Sequence, residues 1–169
     1  MPNASRVEWD LRMLALAEHV GGWSKDRSTR VGCVIADEDY VVLALGFNGF
    51  PRGADERPEE RHQRPAKYSW TEHAERNAIY NAARTGTPLK GARLFVPWFP
   101  CMDCARAIVQ TGIRDLVALA PDIEHTQWGE DFKRAIVLFR ETGVSVRLFD
   151  RVEGGGFSLF GQTTGGDAS

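Results

Sequence analysis

The chain has 169 residues and a net charge of -2, with 43% hydrophobic and 26% charged residues. That suits one domain, 1–152, with a sizeable core, followed by a Gly-rich tail, 153–169. No run approaches the roughly 18 apolar residues of a membrane helix, and a sequence-independent nucleic-acid binder normally carries a basic excess. A small-molecule substrate is expected, with no membrane and no polymeric nucleic acid as partner. The N-terminal stretch MPNASRVEWDLRML lacks the apolar core of a secretory signal, so a cytoplasmic location is expected.

In chain order, the first pattern is a helix through RVEWDLRMLALAEHVGGWS. Val7, Leu11, Leu14, Ala15 and Glu18 share a helical face, and Gly21 and Gly22 form a stop. TRVGCVIAD and YVVLALGFN flank an acidic DED turn and read as a hairpin. A polar segment rich in Gly, Pro and Arg follows, from about Phe47 to Thr71, of a length that is usually functional. A helix from about His73 to Thr85 ends at Gly86. Then come the strand ARLFVPW, the helix CMDCARAIVQTG, the strand RDLVALAP, the helix WGEDFKRAIVLFRETG and the strand VSVRLFD. Helices alternate with strands from the third strand on, which implies parallel crossovers. The expectation is an α/β fold with helices on both faces of a five-stranded mixed sheet. The tail EGGGFSLFGQTTGGDAS reads as flexible or pinned by a partner subunit.

The cysteines are Cys33, Cys101 and Cys104. Cys33 lies in an apolar run and reads as a small buried residue. Cys101 and Cys104 sit at i and i+3 at a helix start, where the helix dipole favours thiolate. They suit two ligands of a zinc ion, and a catalytic site needs a third, leaving one position for water. Among His19, His62, His73 and His125, His73 alone begins a helix directly after the long loop. Helices that start beyond the carboxyl ends of strands can converge on one ion. Glu75, two residues from His73, is placed to carry a proton without being a ligand. H-x-E followed by P-C-x-x-C is the signature of zinc nucleobase deaminases. A structural site is the alternative. It would need a fourth ligand, for which His62 is available, and it leaves Glu75 without a role.

Across nearly its whole length the chain resembles the cytidine and deoxycytidylate deaminase superfamily. The finer resemblance is to deoxycytidylate deaminases, through WSKDRSTRVGCVI, GFNGFPRGA, HAERNAI and FPCMDCARAIVQTGI. The resemblance implies the three-layer α/β/α cytidine deaminase-like fold and Zn2+ held by His73, Cys101 and Cys104. It implies that Glu75 shuttles protons between water, ring N3 and departing ammonia, converting dCMP to dUMP. It assigns base binding to the backbone near Ala74 and sugar binding to Asn48. It also makes a homo-oligomer under dCTP and dTTP control an expectation.

Several readings stay open on the residues. Asn48-Gly49 also suits a plain turn. Asn77 is either a surface or a site-shaping residue. Lys25, Arg27 and Arg52 are either phosphate contacts or solvated charges. Relatives commonly carry a less charged residue at Glu72, Leu or Gln at Arg76 and a smaller side chain at Trp98, and many have a tyrosine in the stretch APDIEHTQWGED. Trp70, Trp98 and Trp128 are alternative walls for a flat base. These departures leave room for another base such as guanine, a nucleoside or a modified cytosine nucleotide. A tRNA adenosine deaminase and a non-catalytic zinc-stabilised binding protein are the competing classes.

Overall fold

The computed structural model describes residues 5–161. Helix α1 (Arg6–Gly21) starts at a capping box in which Ser5 and Glu8 satisfy each other's backbone N–H groups. The hairpin is β1 (Gly32–Ala36) and β2 (Val42–Phe47), paired antiparallel. A short 3-10 turn (Glu59–His62) and the one-turn helix α2 (Lys67–Trp70) lie within the long connection. Then follow α3 (Ala74–Thr85), β3 (Arg93–Val96), α4 (Met102–Gln110), β4 (Asp115–Leu119), α5 (Gly129–Thr142), β5 (Ser145–Arg151) and β6 (Phe157–Leu159). Helices α3 and α5 both end at glycines in the left-handed region, Gly86 and Gly143, as the sequence stops indicate. No described helix is long and apolar enough to cross a membrane.

The sheet has six strands in the order β2-β1-β3-β4-β5-β6, against the five expected. The sixth comes from the segment read as a flexible tail. Gly154, Gly155 and Gly156 all have positive φ and form a turn that returns Phe157–Leu159 antiparallel to β5. Three residues are too short a pattern to read as a strand, and glycines that mark a turn look the same as glycines that mark a loose end. Residues 162–169 of the expected tail lie outside the described residues.

Side chains alternate across the sheet into two cores. Cys33, Ile35, Leu94, Val96, Leu116 and Ala118 face α3, α4 and α5. Val34, Ala36, Phe95 and Val117 face α1. The inward stripe of α1 is Asp10, Met13, Leu14, Ala17 and Val20; of the face read from the sequence only Leu14 is fully buried, and Val7, Ala15 and Glu18 are exposed. The stripe was hidden by Asp10, a charged residue that is buried because Arg147 pairs with it at 2.7 Å.

Topology sets where the helices begin. Strands β2 and β3 are both antiparallel to β1, and β4 runs parallel to β3. The carboxyl ends of β2, β3 and β4 therefore share one edge of the sheet. The connections to α3, α4 and α5 all leave from that edge.

Candidate active site

His73 is the N-cap of α3, and Cys101 is the N-cap of α4. The long loop before His73 is closed by a two-way backbone bridge. Gly49 N–H donates to Glu72 at 3.1 Å and Glu72 N–H donates to Gly49 at 2.8 Å. That bridge fixes where α3 starts relative to the end of β2. The side chain of Asn77 reinforces it by donating to the Phe47 carbonyl at 2.8 Å.

The two helix starts bring three ligand atoms together. His73 Nδ1 lies 3.4 Å from Cys101 Sγ and 3.5 Å from Cys104 Sγ. Zinc bonds of about 2.3 Å to sulfur and about 2.0 Å to nitrogen, at a tetrahedral angle, separate S and N by about 3.5 Å. The spacing and the donor set therefore fit Zn2+, with three protein ligands and one open position. His62 is elsewhere, its Nε2 against the Glu56 carbonyl at 2.6 Å, so it does not join the cluster as a fourth ligand.

The sulfurs behave as a coupled pair. A hydrogen bond from Cys104 and contact with His73 draw Cys101 down to about 4, despite burial. The bond to Cys101 and burial push Cys104 well up. Burial disfavours the charged form of His73, but Cys101 and Glu75 outweigh it, and its pKa is raised. Glu75 is 3% exposed on the first turn of α3. Its burial pushes the carboxyl above the usual carboxylate range, against the pull of His73.

These groups open on a cavity of about 300 Å³. Asn48, Ala74, Trp98 and Trp128, all singled out in the sequence, line it. Trp128 meets the His73 ring edge-on, with centroids 5.8 Å apart. Trp70 does not reach the cavity: its ring carries the Arg61 guanidinium at 3.7 Å instead. Asn48 is buried, its Oδ1 accepting from Val31 N–H at 2.9 Å and its Nδ2 donating to the Thr29 carbonyl at 2.8 Å. It is thus more than a turn residue, because it clamps the neighbouring loop against the site. The amide keeps a second hydrogen and further acceptor capacity.

Sequence reasoning missed other walls of the cavity: Asp26, Arg64, Lys67, Tyr68, His125 and Gln127. Lys67 pairs with Asp26 at 2.8 Å, and the Tyr68 hydroxyl donates to Gln127 Oε1 at 2.8 Å. Asp26 was visible within the S-K-D stretch, but Arg64, His125 and Gln127 sit in loops, and Lys67 and Tyr68 in a one-turn helix too short to show a period. Lys25, Arg27 and Arg52 line a second cavity of about 340 Å³, where Lys25 pairs with Glu56, Arg27 with Glu59, and Arg52 with Asn81.

The profile of the cytidine and deoxycytidylate deaminase zinc-binding region matches residues 7–120. An uncharacterized deaminase in the luxG 3' region of Aliivibrio fischeri is 39% identical over 140 residues, 82% of this chain and 92% of that protein. Deoxycytidylate deaminase of Mus musculus is 32% identical over 148 residues, 85% of this chain and 80% of its own. The crystal structure of dCMP deaminase from the cyanophage S-TIM5, in complex with dCMP and dUMP, matches with a TM-score of 0.68 at 25% identity, over 85% of this chain and 98% of that one. The converging His73, Cys101 and Cys104 and these matches agree, and the chain belongs to the cytidine and deoxycytidylate deaminase zinc-binding family.

Proposed function

We propose that this deaminase hydrolyses the 4-amino group of a cytosine nucleotide, dCMP foremost, with water entering and dUMP and ammonia leaving. One observation carries the reading: a buried carboxyl, Glu75, stands beside the His73, Cys101 and Cys104 cluster on the wall of a cavity that Arg64 also lines. A buried site with a cation on its rim suits a flat polar base carrying a phosphate. The relatives named deoxycytidylate deaminase support the substrate class.

In this reading His73, Cys101 and Cys104 hold Zn2+, which supplies a Lewis acid able to make water deprotonate near neutral pH. Glu75 would accept one proton from the attacking water and pass it to ring N3, then take the second proton from the hydroxyl added at C4 and give it to the departing amine as the carbonyl forms and ammonia leaves. Its raised proton affinity suits a group that must both accept and return a proton. The Ala74 N–H, in the first turn of α3, has no helical acceptor and is free for the base carbonyl. The second amide hydrogen of Asn48 serves the sugar, and Trp98 and Trp128 flank the base.

We further propose a cytoplasmic homo-oligomer whose activity responds to dCTP and dTTP. The second cavity supports the effector response, because Asp26, Asn48, Lys67 and Thr71 line both cavities.

A panel of dCMP, dCTP, cytidine, cytosine, guanine and 5-modified cytosine nucleotides, read by ammonia release, tests the substrate. The highest kcat/KM is expected on dCMP. Turnover of guanine or a nucleoside with none on dCMP would replace the substrate, and no turnover by zinc-loaded protein would sink the reading.

A further inference from the structure

The residues flanking the His73–Glu75 pair make contacts that the proposed chemistry does not use. Arg76 sits on the first turn of α3, one residue beyond Glu75. Its Nη2 lies 2.5 Å from Glu72 Oε1, and its Nη1 lies 3.5 Å from Asp103 Oδ2. Glu72 Oε1 also accepts the backbone N–H of His73 at 3.2 Å. Asp103 stands between Cys101 and Cys104 on the first turn of α4, where Arg106 also pairs with it. One guanidinium therefore spans from the residue before His73 to Asp103, one of the two residues between the cysteines.

We infer that Arg76 is a positioning residue of the metal centre: it straps the start of α4 to the start of α3 and holds His73 Nδ1 against the two sulfurs. Helices α3 and α4 arrive from different strands, so nothing in either helix alone fixes the distance between their first turns. The two-pronged guanidinium does so from outside the ligand set, as partners of metal ligands commonly do.

Two further observations fit this role and not a surface ion pair. The Arg76 side chain is only 23% exposed, and its Nε is buried without a hydrogen-bond partner among the described residues. A cation is kept there although part of it is unsatisfied.

The inference rests on the metal-centre reading, and zinc release separates the two. Zinc-loaded protein is mixed with a chromophoric chelator, and release is timed for wild type, Arg76→Leu, Arg76→Lys, Asp103→Asn and the Arg76→Leu/Asp103→Asn double variant. Arg76→Leu is expected to release zinc at least ~10-fold faster, the lower range for loss of a partner of metal ligands. Asp103→Asn should shift release the same way by less, and the double variant should be no faster than Arg76→Leu. Arg76→Lys, which keeps the charge but not the fork, should recover part of the loss. The metal-free proteins are melted in parallel. Release within twofold of wild type in every folded variant overturns the strap, as does a lowered metal-free melting temperature with unchanged release. If Arg76→Leu does not fold, Arg76→Lys and Asp103→Asn decide by the same criterion. A wild-type protein that holds no zinc fails the metal-centre reading itself.

Discussion

Glu75 is where the proposed chemistry depends on one side chain. It is buried on the first turn of α3, and glutamine has the same shape but cannot take a proton. Glu75→Gln is expected to lower kcat at least ~100-fold, the usual scale of general acid–base catalysis, while zinc content measured by metal analysis stays unchanged. The three ligand candidates and Glu75 were legible because their chemistry is written in short fixed spacings at helix starts. Trp70 and Trp98 show the limit. Both are tryptophans near the site in sequence, yet one stacks under Arg61 and the other lines the cavity. Ring direction is set by tertiary neighbours, and no local pattern encodes it.

At the scale of elements, α3 lies unusually close to β2. A Cβ on Gly46 would come within 2.3 Å of Ala78 N and 2.4 Å of Ala74 O. Gly46→Ala must push the start of α3 off the sheet, and His73 and Glu75 with it. A loss of about 1–3 kcal/mol in urea unfolding is expected, the range for overpacking, together with lower kcat. The loop before β1 hangs on Asp26 in a similar way. Burial alone would raise its carboxyl, but Lys67 and the N–H groups of Thr29 and Ser28 outweigh that and hold it below the usual range. Its folded pKa is thus depressed, so its stabilisation is present above about pH 4, the unfolded value, and is lost as pH falls through the folded value. Asp26→Ala is expected to cost about 3 kcal/mol at neutral pH, because Lys67 is left buried without its partner. In denaturant titrations at pH 7, 4 and 3, the gap to wild type should narrow toward pH 3. The order of the long elements was readable from periodicity and glycine stops, whereas β6 and the inward face of α1 were not. Both depend on partners distant in sequence: β5 for β6, and Arg147 for Asp10.

For the whole molecule, the shared carboxyl edge of β2, β3 and β4 makes the metal site a joint between helices rather than a property of one loop. Metal binding should then stabilise the entire fold. At a thousandfold excess of zinc over its dissociation constant the linkage is about 4 kcal/mol, which for this length corresponds to a melting temperature about 10 °C higher with zinc than after chelation. A scanning calorimeter checks it, and equal melting temperatures would mean that zinc does not bind the folded chain in preference to the unfolded one. The α/β/α layering was legible from element order, but the common edge needed the antiparallel placement of β1 between β2 and β3, which only pairing reveals. Cys33 adds a consequence of another kind. It is fully buried in β1, and burial and Glu75 push its thiol well up, so it stays inert while the fold is intact. The chain therefore carries its own thiol counter. A thiol-reactive dye should find no reactive group in zinc-loaded protein, one after the metal is stripped (Cys101, which lines the cavity with its thiol drawn down) and the buried Cys104 and Cys33 only on unfolding, so that a single absorbance trace distinguishes metal loss from collapse of the structure.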